Sequence, residues 1–214
     1  MTDLSLEYLI REPKVASKKA PLILLIHGYG SNMDDLFSFA PELPEQALVV
    51  SVQAPTPLPF GGNAWYSITF DADENKFSDP VEGKASVQKL RVFLDEIIEK
   101  YPVDTNNIFF TGFSQGAILS YAFSFTFPEK IQHVVALSGH FNHDFLIQPP
   151  TKNNIDYFVS HGTVDQVIPI DWAKKGPELL NSLGIKNIYK EYPVGHGVHP
   201  NNFYDFKNWI AKRI

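Results

Sequence analysis

The amino-acid sequence predicts an α/β fold: a mostly parallel, doubly wound sheet of about seven strands with helices packed on it. The prediction rests on the alternation of two kinds of segment. Short apolar runs, typical of buried strands, alternate along the whole chain with segments that keep helical spacing. Such alternation is typical of parallel sheets, whose neighbouring strands are joined by helices. No repeat, low-complexity segment or linker interrupts the pattern, so residues 1–214 are expected to form a single domain.

The predicted strands are recognised by alternation or by continuous apolar composition. Residues 4–10 alternate as an edge strand does, and Pro13 follows shortly after them. Residues 22–26, Leu-Ile-Leu-Leu-Ile, are uniformly apolar, as in a strand buried on both faces. In chain order, the predicted strands are residues 4–10, 22–26, 47–52, 108–110, 134–137, 155–160 and 188–192.

The predicted helices are recognised by apolar residues every three or four positions and by their end signals. The clearest is 81–101, which Pro102 ends. Asp34 and Asp35 stand in the first turn of a shorter helix, where the helix dipole favours acidic side chains. In chain order, the predicted helices are residues 32–43, 81–101, 117–123, 172–183 and 202–214.

The least regular segment is 56–80, in which prolines and glycines are followed by Trp65, Tyr66 and Phe70. A long aromatic loop in a compact domain is more often functional than idle. We therefore expect this segment to border a binding site. The alternative is that it covers an edge of the core.

Composition excludes several classes of function. The formal net charge is -6 and no basic run exceeds two residues, which argues against nucleic acid or an anionic membrane as the main partner. The chain has no cysteine, so a disulfide, a thiolate nucleophile and a Cys-ligated metal are ruled out. The N-terminus lacks the pattern of a signal peptide, and no early apolar run could span a bilayer. A cytoplasmic protein without integral membrane association is the expectation.

The motif most informative about chemistry is the apolar run Ile108–Phe110 followed by Gly-Phe-Ser-Gln-Gly at 112–116. A G-x-S-x-G between a strand and a helix is the context of a nucleophile elbow, which exposes a serine at the edge of a sheet. The turn holds this serine in strained backbone geometry, and side chains at the two glycines would collide with the strand and the helix. Ser114 is therefore the predicted nucleophile.

A serine hydroxyl needs a base to take its proton and an acid to orient that base. Asp165 follows the strand at 155–160 and is the predicted acid. Of its rivals, Asp156 lies inside a strand, and Asp171 lies near the start of a helix, where capping explains it. Asp144, which follows an earlier strand, is the one serious competitor.

The predicted base is His196, one of seven histidines. Only His196 and His199 follow the last predicted strand. His196 stands between Gly195 and Gly197, which gives a slim loop able to lean over the serine. His199 precedes the final helix, where a surface or capping histidine is expected.

Stabilising an oxyanion takes two backbone N–H groups. One should come from Gln115, the residue after the serine, and the other from the loop at 27–30, where Tyr29 is our choice. His27 in this loop is expected to be a structural hydrogen-bonding residue. The glycines do not form a phosphate-binding motif, and no histidine pattern indicates a metal site.

Six motifs occur together and in order: H-G-Y-G (27–30), A-P-x-P (54–57), A-W-Y (64–66), G-F-S-Q-G (112–116), H-G-x-x-D-x-V-I-P (161–169) and G-H (195–196). With them the chain resembles the phospholipase/carboxylesterase family of small α/β-hydrolases, which includes acyl-protein thioesterases and bacterial carboxylesterases. The resemblance covers nearly the whole chain. It implies an α/β-hydrolase fold, with Ser114, Asp165 and His196 as the catalytic triad and the Tyr29 and Gln115 amides as the oxyanion hole.

The expected activity is hydrolysis of a carboxylic ester, a thioester or a lysophospholipid through an acyl-enzyme, without a metal or an organic cofactor. Trp65 and Tyr66 are expected to wall an apolar substrate pocket. No insertion is large enough for a separate lid domain.

Two other functions stay open at this point. A peptidase or an acyltransferase could use the same triad, because the fold does not set the acceptor. A non-catalytic receptor of this fold would bind a small molecule and need no complete triad. The sequence does not distinguish a monomer from a homodimer.

Overall fold

The computed structural model describes residues 4–70 and 76–214. Its central sheet has seven strands: β1 (Tyr8–Arg11), β2 (Ala20–Ile26), β3 (Leu48–Val52), β4 (Val103–Phe113), β5 (His133–Leu137), β6 (Asp156–Gly162) and β7 (Asn187–Tyr192). Their spatial order is β1-β3-β2-β4-β5-β6-β7. The edge strand β1 is antiparallel to β3, and every other pairing is parallel. The predicted mostly parallel sheet is confirmed.

Five helices connect and cover these strands: α1 (Met33–Phe37), α2 (Pro80–Lys100), α3 (Gln115–Thr126), α4 (Ile170–Ser182) and α5 (Pro200–Ala211). Buried side chains of α2, α3 and α4 belong to one core cluster, and those of α1 and α5 to a second. The sheet is therefore covered on both faces, as a doubly wound topology requires. None of the helices within 4–70 and 76–214 is long and apolar enough to cross a membrane.

The helix predicted over 32–43 is wrong in extent. The structure has α1 over Met33–Phe37 and then a separate 3-10 turn, Ala40–Glu42. Pro41, which lies inside the predicted helix, has no backbone N–H to continue the α-helical ladder, and it stands in the first turn of the 3-10 segment instead.

The predicted loop 56–80 contains two short antiparallel pairs. Thr56–Pro57 pairs with Asn63–Ala64, and Ile68–Phe70 pairs with Lys76–Ser78. Residues 71–75, which are part of the predicted loop, lie outside the described residues.

Parallel strands place their carboxyl ends along one edge of the sheet. The ends of β2, β4, β5, β6 and β7 meet there, followed by His27, Ser114, Ser138, Thr163 and Pro193. The sequence-predicted chemical groups lie on the loops that leave this edge.

Candidate active site

Ser114 stands at the turn between β4 and α3, with φ 53° and ψ -114°. A positive φ is strained for a residue with a Cβ, and such strain costs about 1–3 kcal/mol. The turn is held by Ser114 N–H, which donates to the Leu137 carbonyl 2.9 Å away. A Cβ at Gly116 would overlap the Ile26 carbonyl oxygen, and one at Gly112 would overlap the Gly116 carbonyl. The close packing expected around this turn is present.

Three side chains from distant parts of the chain form one hydrogen-bonded series. His196 Nε2 lies 2.9 Å from Ser114 Oγ, and His196 Nδ1 lies 2.8 Å from Asp165 Oδ2. A carboxylate can only accept, so Nδ1 carries the proton and Nε2 is left to accept from the serine hydroxyl. The geometry is that of a serine paired with an oriented general base.

Asp165 is bound from several sides. Its side chain has no exposed surface, and its Oδ1 accepts from Val167 N–H at 2.8 Å and Ile168 N–H at 2.9 Å. Burial acts to raise the pKa of the Asp165 carboxyl group. The hydrogen bonds from Ile168, His196 and Val167 outweigh burial and hold this pKa below its ordinary value. Asp165 is therefore an anion that faces His196.

The loop that carries His196 packs closely against the end of β6. A Cβ at Gly162 would overlap the carbonyl oxygens of Val194 and Gly195. At Gly197, in contrast, a Cβ would meet no described atom within 4 Å. The close approach of this loop to β6 thus depends on Gly162. It does not depend on Gly195 and Gly197, the two glycines beside His196.

Two further contacts fix the imidazole and the loop that carries it. Phe113 packs against it, with ring centroids 5.0 Å apart. Ser138 Oγ donates to the Gly197 carbonyl at 3.2 Å, and Ser138 itself has φ 51°. The His196 side chain keeps 19% of its surface exposed, so a substrate can reach it.

Tyr29 and Gln115 line the same cavity as Ser114. Gly28 brings the 27–30 loop close to the serine, since a Cβ there would lie 3.1 Å from Ser114 Cβ. Neither amide donates a backbone hydrogen bond to another described residue. Gln115 is the first residue of α3, where the helix dipole favours negative charge.

His27 is a structural residue, as predicted. Its Nδ1 lies 2.8 Å from the Gly28 carbonyl, and its Nε2 accepts from Ala54 N–H at 3.0 Å. Burial lowers the pKa of His27 and outweighs the effect of the Gly28 carbonyl. A neutral ring with its proton on Nδ1 satisfies both contacts.

A cavity of about 530 Å³ opens at Ser114 and His196. Tyr66 lies on its wall, as expected, but Trp65 does not. Trp65 is 1% exposed, and its indole N–H donates to the His27 carbonyl at 3.0 Å. The prediction that Trp65 walls the pocket is therefore corrected: the indole is held in the core beneath the loop that carries Tyr29.

The rival residues lie elsewhere or have other roles. Asp156 is ion-paired with Lys186 and Arg213 at 2.7 and 2.6 Å. Asp171 lies within the first turn of α4, not at its N-cap, which is Pro169. His199 is the N-cap of α5 and accepts from Asn201 N–H at 3.1 Å, which confirms the capping role. Asp144 lines the cavity but makes no contact with His196 among the hydrogen bonds and ion pairs of the described residues.

Sequence reasoning missed two side chains. Gln115 accepts from Trp65 N–H at 3.0 Å and donates to the Tyr66 carbonyl at 2.8 Å, so it clamps the 64–66 segment to α3. His161 is buried beside Asp165, with Nε2 3.3 Å from Oδ2. The only sequence signal for each is its position in a motif. Gln115 stands beside Ser114, and His161 stands four residues before Asp165.

Comparisons with known proteins show the family to which the chain belongs. The family model described as Phospholipase/Carboxylesterase matches residues 10–214. The chain is 29% identical to acyl-protein thioesterase 1 of Debaryomyces hansenii, with 94% of each chain covered. It is also 29% identical to acyl-protein thioesterase 1 of Yarrowia lipolytica, with 96% of each covered.

Among solved structures, the fold is similar to the Bacillus cereus carboxylesterase, with a TM-score of 0.84, 22% identity, and 98% of this chain and 95% of that chain covered. The sheet, the strand–serine–helix turn and the family match support one assignment. This chain belongs to the phospholipase/carboxylesterase family of α/β-hydrolases and is a hydrolase of the esterase type.

Proposed function

We propose that the protein hydrolyses carboxylic esters or thioesters through an acyl-enzyme on Ser114, with His196 as general base and acid and Asp165 as the orienting carboxylate. The observation that carries the proposal is the continuous series Ser114 Oγ–His196 Nε2 at 2.9 Å and His196 Nδ1–Asp165 Oδ2 at 2.8 Å. The buried anion at Asp165 favours the imidazolium that must form during proton transfer.

In the acylation step, Ser114 Oγ attacks the carbonyl carbon as His196 Nε2 takes the hydroxyl proton. The carbonyl oxygen becomes an oxyanion, which the amides of Tyr29 and Gln115 bind. The bond to the leaving alcohol or thiol then breaks, and His196 returns the proton to that leaving group. The acyl group is left on Ser114.

In the deacylation step, a water molecule attacks the acyl-enzyme while His196 takes its proton. The second oxyanion occupies the same amides, and the bond to Ser114 Oγ breaks. His196 protonates the serine oxygen, and the carboxylic acid leaves. The two steps consume one ester and one water, and no cofactor takes part.

The substrate class follows from the cavity and the relatives. Apolar side chains, including Tyr66, Ile118 and Ile168, line the cavity beside Ser114, so an apolar part of the substrate is accommodated. Relatives named acyl-protein thioesterase favour a thioester as one such substrate. The proposed substrate is therefore an ester or a thioester with an apolar part.

The test is hydrolysis of 4-nitrophenyl butyrate and of butyryl thiocholine by the protein and by Ser114→Ala. We expect turnover of both, and a loss of about 10⁴-fold or more in kcat for the variant. Ser182→Ala, which removes a hydroxyl at the end of α4, is the matched control and should keep full activity. A folded protein that binds esters but turns none over would favour the receptor function instead.

A further inference from the structure

The cavity beside Ser114 carries a distinctive charge pattern. Its wall includes Asp144 and Trp172, whereas no lysine or arginine is among the described residues that line it. The other titratable residues on this wall are Tyr29, Tyr66, His140 and His196.

The main chain at Asp144 is fixed by the side chain of Asn142. It lies in the 3-10 turn His143–Phe145, and its N–H donates to Asn142 Oδ1 at 3.0 Å. No lysine or arginine of the described residues forms an ion pair with its carboxylate. Asp144 is solvent-exposed and lines the cavity, so it adds negative charge to the cavity wall.

Trp172 supplies an aromatic surface on the same wall. Its side chain is 39% exposed, and its ring packs edge-on against His140 with centroids 5.6 Å apart. An aromatic face and a nearby carboxylate together attract a cation, especially a quaternary ammonium group. The same pair repels a phosphate or a carboxylate, which would also find no lysine or arginine among the described residues of the wall.

We infer that this enzyme selects esters by charge: a cationic group is favoured, a neutral group is accepted, and an anionic group near the scissile bond is rejected through Asp144 and Trp172. The inference rests on the proposed function, since it concerns the same cavity. It argues against lysophospholipids, whose phosphodiester is anionic, as the preferred substrates.

The test uses two sets of substrates that differ in charge but resemble one another in shape. In the first set the charge is in the alcohol: butyrate esters of choline, 3,3-dimethylbutanol and 3-hydroxypropanesulfonate. In the second it is in the acyl group: 4-nitrophenyl esters of 4-(trimethylammonio)butyrate, of 5,5-dimethylhexanoate, and the monoester of glutarate. Values of kcat/KM are compared within each set at low and at high salt.

In at least one set we expect kcat/KM to fall from cation to neutral to anion, by about threefold to tenfold at each step, and the steps to shrink at high salt. Asp144→Asn should bring the ratio of cation to neutral close to one. Asp171→Asn, which removes a charge next to Trp172 but outside the cavity wall, is the matched control and should leave the ratio unchanged.

Equal kcat/KM values across both sets would overturn the inference. A preference for the cation that persists in Asp144→Asn would also overturn it, as would one that Asp171→Asn abolishes to the same extent as Asp144→Asn. These outcomes differ from failure of the proposed function. In that case the neutral esters would not be hydrolysed at all, or they would be hydrolysed equally by Ser114→Ala.

Discussion

His161 Nε2 lies 3.3 Å from Asp165 Oδ2 and 2.8 Å from the Ile168 carbonyl, and both the His161 and Asp165 side chains are fully buried. The Ile168 oxygen can only accept, so Nε2 carries the proton. The imidazole thus ties together the two ends of the 165–168 loop, whose own N–H groups bind the carboxylate. His161 is a positioning residue for Asp165 in this account.

The first prediction concerns this contact. We expect His161→Leu to lower kcat by about tenfold to a hundredfold with little change in KM, because Asp165 would lose its fixed direction toward His196. His161→Gln places an amide N–H near the position of Nε2 and should recover most of the loss. Equal defects in the two variants, or a defect confined to KM, would contradict this role.

The second prediction concerns the approach of the His196 loop to β6. Gly162→Ala should destabilise the fold by about 1–3 kcal/mol and lower kcat, since its Cβ would displace the Val194 and Gly195 carbonyls. Gly197→Ala is the control for stability and should change the free energy of unfolding by less than about 0.5 kcal/mol. Urea denaturation of both variants provides the measurement, and similar losses in both would refute the steric argument.

The third prediction concerns the Gln115 clamp. Gln115→Met should leave the Trp65 N–H and the Tyr66 carbonyl without partners, at a cost of about 2 kcal/mol or more. Because Tyr66 lines the cavity, we also expect KM for esters to rise. Gln148→Met, at an exposed position, is the matched control. Thermal unfolding and ester kinetics would be measured together, and unchanged stability would rule the clamp out.

The fourth prediction concerns acid stability. Burial lowers the pKa of His133 to about 4, and it also lowers that of His27 below the ordinary 6.5. Between pH 4 and pH 6.5 the folded state thus binds fewer protons than the unfolded chain. The stability that comes from the neutral rings is complete above pH 6.5 and is lost as the pH falls toward 4.

His133→Phe separates this effect from packing. The substituted ring can still stack on Phe109, whose centroid lies 4.3 Å from that of His133, but it cannot titrate. We expect the urea midpoint of the variant to fall less between pH 7.5 and pH 4.5 than that of the natural protein. An identical pH dependence in both would show that His133 does not contribute.

Much of the fold and of the site could be predicted because local pattern and tertiary structure agree. Continuous apolar runs marked the buried strands, and the order of Ser114, Asp165 and His196 along the chain matched the order in which strand ends reach one edge of the sheet. The helix predicted over 32–43 is shorter in the structure because Pro41, despite the helical spacing around it, cannot continue the α-helical hydrogen bonds.

The remaining features depend on three-dimensional proximity, which sequence spacing does not encode. Trp65 and Tyr66 are adjacent in the chain and both are buried in the core, yet only Tyr66 lines the cavity. The requirement for Gly162 comes from backbone atoms at 194 and 195, and the roles of Gln115 and His161 come from partners that only the folded chain brings together.

The central claim is that Ser114 is an activated nucleophile. Its most direct test is treatment with a fluorophosphonate probe at neutral pH, followed by intact mass and peptide mapping. We expect one adduct on Ser114, absent from Ser114→Ala and strongly slowed in His196→Ala, because the base that takes the proton is gone. A folded protein that gains no adduct, or that gains it on another residue, would contradict this mechanism.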